Sequence, residues 1–160
     1  MSKIISVIGV IVFLLLSWLL VDTYVTAREP LIEEQTVAEE RLLNAHSFAG
    51  ITERQTYYGE TTVHVFKGML DGESHIAWVP ASSEEDILVK QTADGVDKKT
   101  IIDTLKADGK PEKILDIRLG LRNQQPVWRA VYIAEDQRQY YEYYSFQDGT
   151  FLESISLKRS

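Results

Sequence analysis

The sequence predicts an α+β protein: an N-terminal membrane-spanning helix followed by two small domains, each with one helix packed on a four-stranded antiparallel sheet. Three observations predict it. An uncharged apolar run fills residues 4–21, a helix-then-four-strands order occurs twice after it, and Asp-Gly pairs stand between strand runs.

The apolar run reads IISVIGVIVFLLLSWLLV, interrupted only by Ser6, Gly9 and Ser17. A helix of about 18 to 20 such residues crosses a bilayer core of about 30 Å. Lys3 precedes the run and Asp22 follows it, which by the positive-inside rule puts the N-terminus in the cytoplasm and the remaining chain outside. The small residues Val25, Thr26 and Ala27 leave cleavage after Ala27 open as an alternative to a retained anchor. The expected organisation is a cytoplasmic tip and anchor at 1–27, a first domain at 28–93 and a second at 94–160.

The chain has no cysteine, which rules out disulfides, thiolate zinc sites and a cysteine nucleophile. With 17 Lys and Arg against 24 Asp and Glu, the formal net charge is −7. No basic stripe offers a polyanion site, so nucleic acid is not an expected partner.

Arg28-Glu29-Pro30 suggests a break in the chain, because proline disfavours helix at the residue before it. From residue 31 to about 45, Leu31, Ala38, Leu42 and Ala45 fall on one helical stripe. Acidic residues occupy most of the other side, as in an amphipathic helix. Strand runs follow at 51–58, 61–70 and 73–79, rich in β-branched and aromatic residues, and a short run at 87–89 closes the sheet. Asp71-Gly72 suits a type I′ hairpin turn, which needs positive φ at both central residues.

The order then repeats. Ile101, Ile102 and Leu105 mark a second helix within 96–108, with Gly109 and Pro111 as its stop signals. Four strands are expected at about 114–121, 127–134, 139–146 and 151–157. Aligning the Asp71 turn with the Asp136 turn lays Ile76 and Trp78 over Tyr141 and Tyr143, in keeping with two related units.

Ala130-Val131-Tyr132, then Gln139-Tyr140-Tyr141-Glu142-Tyr143-Tyr144, then Phe146-Gln147-Asp148-Gly149-Thr150 resembles the end of a PepSY domain. Together with the anchor, the Arg-Glu-Pro junction and the doubled helix-and-sheet order, the chain resembles the TseB-like cell wall elongation regulators of Gram-positive bacteria. The resemblance implies cystatin-like domains outside the cell and association with a penicillin-binding transpeptidase of the elongation machinery.

Residues suited to catalysis are scattered. His46, His64 and His75 do not converge, because the Asp71-Gly72 hairpin sets His64 opposite Val79 and His75 opposite Gly68. They read as surface histidines, and no metal or cofactor is expected. Glu33-Glu34, Glu39-Glu40 and Glu84-Glu85-Asp86 could pair as glycosidase acids, but their placement fits solvated faces and a loop. No serine stands in a nucleophile motif. The chain is therefore expected to be a binding protein, not an enzyme. The alternatives are a PepSY-type inhibitor of a peptidase or wall hydrolase, and a peptidoglycan-binding module.

For the contact surface, a two-residue turn at Asp136 and Gln137 pairs Tyr140 with Ile133, Glu142 with Val131, and Tyr144 with Arg129. Arg129 and Glu142 mark this face as solvated, since isolated charges are seldom buried. The candidate partner-binding set is Arg129, Val131, Ile133, Tyr140, Glu142 and Tyr144. The competing role for this face is a seam against the first domain, where His64, Phe66, Ala77 and Val79 form a second half-apolar surface.

Overall fold

The computed structural model describes the backbone of residues 2–108 and 111–158, and the side chains of 13–23, 32–108 and 111–158. Gly109 lies outside the described residues, and Lys3 and the Val25-Thr26-Ala27 site lie outside the described side chains. The chain divides into two compact units, Met1–Val37 and Ala38–Ser160.

Helix α1 runs unbroken from Ser2–Ala45. The break expected at Pro30 is absent, because a proline removes one N–H and biases its predecessor against helix without forbidding it. Within the first unit, Phe13, Leu14, Leu15, Leu16, Trp18, Leu19, Leu20 and Val21 are exposed. Among the described residues no helix is long and apolar enough to cross a membrane. The expectation of a single-pass transmembrane helix is corrected on that finding. The expected count of one helix per domain is corrected too: the chain has α1, a 3-10 helix at Thr92–Asp94 and α2 at Lys98–Ala107.

The second unit holds two four-stranded antiparallel sheets. The first contains β1 (Ala49–Tyr58), β2 (Thr62–Leu70), β3 (Glu73–Pro80) and β4 (Leu88–Gln91) in that spatial order. The second contains β5 (Lys113–Arg122), β6 (Gln125–Ile133), β7 (Gln139–Ser145) and β8 (Phe151–Leu157), also in order. Asp71 and Gly72 have φ of 53° and 83°, as a type I′ turn requires. That turn places His64 opposite Val79 and His75 opposite Gly68.

Alternation along β2 and β3 gives the first sheet two apolar faces. Phe66, Ala77 and Val79 pack under Ala38, Leu42 and Phe48 at the end of α1 and just after it. His64 is buried on the same face, with Thr56 Oγ1 3.1 Å from its Nδ1, which corrects its reading as a surface histidine. Arg54 clasps Glu39 beside this helix at 2.6 Å and holds the glutamate carboxyl below its usual range. The opposite face, with Val63, Val65, Ile76 and Trp78, shares one core with Ile117, Leu119 and Trp128 of the second sheet and with Phe146, just after β7. The two sheets thus bury one another through the face opposite to His64 and Phe66.

Helix α2 starts where Asp97 accepts from the Thr100 N–H at 2.8 Å, a side-chain cap that satisfies an orphan donor. Its Ile101 and Leu105 are fully buried in the shared core. The link between the sheets is held by Val96, whose N–H donates to Phe146 O at 2.8 Å and whose C=O accepts from the Trp128 indole at 3.0 Å.

Candidate functional site

The six candidate partner-binding residues do not share a face. The β6–β7 connection is a three-residue loop, Glu135, Asp136 and Gln137, closed by Ala134 N–H donating to Arg138 O, with Gln137 at φ 62°. A turn followed by a left-handed residue is the common three-residue hairpin. It shifts the pairing by one residue from the expected two-residue turn, and one residue of slip moves every side chain to the other face. Tyr140 therefore stands opposite Tyr132, Glu142 opposite Ala130, and Tyr144 opposite Trp128. Arg129, Val131 and Ile133 lie on the reverse face, opposite Tyr143, Tyr141 and Gln139.

On the first of these faces Tyr144 is 1% exposed and Glu142 3%. Glu142 accepts from the Tyr132 hydroxyl at 2.9 Å through Oε1 and from the Tyr144 hydroxyl at 2.5 Å through Oε2. A buried carboxylate is tolerable when each oxygen has a donor. Burial, followed by the hydrogen bond to Glu142, pushes the pKa of both tyrosines upward. The expectation that Glu142 marks a solvated face is corrected: its side chain is buried, and its two oxygens accept from phenols inside the protein. Tyr140 is partly exposed, stacks on Tyr132 with ring centroids 5.3 Å apart, and donates to Asp136 Oδ2 at 2.8 Å.

The reverse face meets the first sheet at Arg129. Its guanidinium lies 4.8 Å above the Tyr57 ring, donates to Tyr58 O at 2.9 Å and stands 3.6 Å from Asp116. Arg118 donates to Thr56 O at 3.2 Å and is paired with Asp116 at 2.8 Å. Two arginines of the second sheet thus satisfy successive outward carbonyls of edge strand β1. Tyr57 is buried between the backbones of Gly59 and Gly120, where an added Cβ would fall 2.2 Å and 2.5 Å from ring carbons. Arg129 is a half-buried seam residue, Val131 is buried and Ile133 is partly exposed.

Large exposed apolar side chains of the second sheet lie elsewhere, Leu115 on β5 at 44% exposure and four on β8. Phe151 is 48% exposed, Leu152 50%, Ile155 39% and Leu157 53%. The final run of strand residues was legible, but its position at the open edge of the sheet is a property of strand order. Among the described residues no group of three or more His, Asp or Glu is placed to hold a metal ion.

No known family profile matches the chain, and no curated protein matches it significantly. Among solved structures, the YpmB protein from Bacillus subtilis matches over 77% of this chain and 97% of its own, with a TM-score of 0.72 and 22% identity. The two proteins share a fold. A Clostridium difficile 630 protein matches at a TM-score of 0.38 and 12% identity, which carries no structural argument.

Proposed function

We propose that the chain is a non-catalytic, extracytoplasmic binding protein of the TseB-like type, which regulates peptidoglycan elongation by docking on a penicillin-binding transpeptidase. The observation that carries this reading is β8. Among the described residues its seven residues form an open sheet edge, without proline, and four large apolar side chains on it are 39–53% exposed. Such edges are ordinarily blunted or covered, and apolar side chains exposed on both sides of one, Phe151 on the Tyr144 face and Ile155 and Leu157 on the other, suit a partner that grips the edge. The sequence resemblance supplies the class of partner, and the fold shared with YpmB supports the two-sheet arrangement that the resemblance implies.

The test is a photocrosslinking amino acid in place of Leu152 in living cells. Adducts with a penicillin-binding transpeptidase, identified by mass spectrometry, are expected. Adducts confined to the chain itself, or to proteins outside wall synthesis, would overturn the reading. Tyr144 is unsuitable as the probe position because it is buried.

A further inference from the structure

The first sheet carries its own open edge, at β4, and the backbone polarity of that edge can be worked out. Ala81 N–H donates to Thr62 O at 2.9 Å. The alternation of an antiparallel ladder then directs the backbone groups of His75, Ala77 and Val79 to β2, and those of Ile76 and Trp78 to β4. On β4, Leu88 and Lys90 answer Trp78 and Ile76, so the N–H and C=O of Val89 point outward. Gln91 has the same outward polarity, and its N–H donates to Asp94 Oδ2 at 3.2 Å instead of to β3. Among the described residues no strand lies beyond β4. The contrast with β1 is sharp, because Arg118 and Arg129 occupy the outward carbonyls there.

A groove adjoins this edge. One cavity of about 480 Å³ lies between Leu88 and Lys90 on one side and Gln124, Gln125 and Gln147 on the other. A second, of about 270 Å³, continues from the shared Leu88 and Gln124 to Glu84, Glu85 and Asp86. Arg41 fixes the position of that acidic loop by donating to Pro80 O at 2.9 Å, to Ser82 O at 2.8 Å and to Glu85 O. Side chains of a strand alternate between faces. A strand added to β4 would therefore drop every second side chain into the groove.

We propose that this groove takes an extended peptide segment of a partner protein, paired to the outward N–H and C=O of Val89, with basic residues at the end beside Glu84, Glu85 and Asp86. Backbone pairing supplies affinity in this mode, and the pockets for alternate side chains supply selectivity. The acidic loop sets direction: a basic end is drawn to it, whereas the three glutamines line a neutral polar stretch. The site is separate from β8 and stands whether or not the β8 partner is a transpeptidase.

The test uses the full chain labelled for NMR and an octapeptide of alternating threonine and valine that begins with two lysines. The expected result is shifts at Leu88–Gln91 and Gln124. Of two peptides N-methylated on alternate residues, one per edge, only one should bind. Replacing the lysines by glutamates should weaken binding about tenfold, and the triple variant E84K/E85K/D86K should reverse that preference. Absence of shifts at about 1 mM peptide, shifts confined to Phe151–Leu157, or equal binding of both N-methylated peptides would overturn the proposal.

Discussion

At the scale of single residues, Glu142 carries most of what distinguishes the second sheet. Its two oxygens each hold a tyrosine hydroxyl in a buried setting. Removing one donor strips a buried carboxylate of a charge-assisted hydrogen bond, a loss worth about 1.5–3 kcal/mol. Tyr144→Phe should therefore lower unfolding free energy by that amount in urea titrations, with little change in slope, because the ring and its packing remain. The sequence offered Glu142 as a marker of the solvated face because a lone glutamate seldom stays buried. What the sequence could not display is that Tyr132, on the neighbouring strand, and Tyr144, two residues along the same one, both reach it.

At the scale of elements, turns decided which parts of the fold were legible. The β2–β3 register followed from Asp71-Gly72, since a glycine at positive φ fixes a two-residue turn. The β6–β7 register did not, because its left-handed residue is Gln137, which gives no local signal. One residue of loop length then moved Tyr140, Glu142 and Tyr144 away from Arg129, Val131 and Ile133. A residue with a Cβ in the left-handed region is strained by about 1–2 kcal/mol. Gln137→Gly should relieve part of this and raise stability by about 0.5–1 kcal/mol in thermal denaturation, offset in part by the entropy of glycine in the unfolded chain. A two-residue turn would instead make the substitution neutral or destabilising. The course of α1 through Pro30 shows the same limit: a proline biases the chain locally, and the helix around it prevails.

At the scale of the folded unit Ala38–Ser160, the two sheets are joined through Tyr57. Its ring lies against Gly120 so closely that a Cβ there would stand 2.5–2.6 Å from three ring carbons. The guanidinium of Arg129 limits where the ring can go. Gly120→Ala should cost about 1–3 kcal/mol through overpacking, and hydrogen exchange should speed up in both sheets, not in the second alone. Burial, followed by the proximity of Tyr143, pushes the Tyr57 pKa up to about 12. An unfolded tyrosine titrates near pH about 10. A folded value raised above the unfolded one gives stability that is complete below pH about 10 and is lost as pH rises through the folded value. Alkaline unfolding should therefore set in between these values, with tyrosinate absorbance from Tyr57 appearing together with loss of structure. Free ionisation of all tyrosines before unfolding would contradict the seam. The strand runs and the buried face of α2 were readable because periodicity is local, whereas of the stripe expected at residues 31–45 Ala38 and Leu42 are buried and Ala45 is exposed. The seam was not, since it joins residues such as Thr56 and Arg118 that are far apart in the chain.

We propose that the β8 edge docks on a wall-synthesis transpeptidase without chemistry of its own. The most direct measurement is the affinity of the full chain for a purified elongation transpeptidase, compared with the variant L152D/I155D. Both residues are exposed, so the variant should fold with an unchanged circular dichroism spectrum. Saturable binding is expected, weakened at least about tenfold by the variant, since each lost apolar contact at an interface centre costs about 1–2 kcal/mol. Equal affinity of both proteins, or no binding by either, would contradict it.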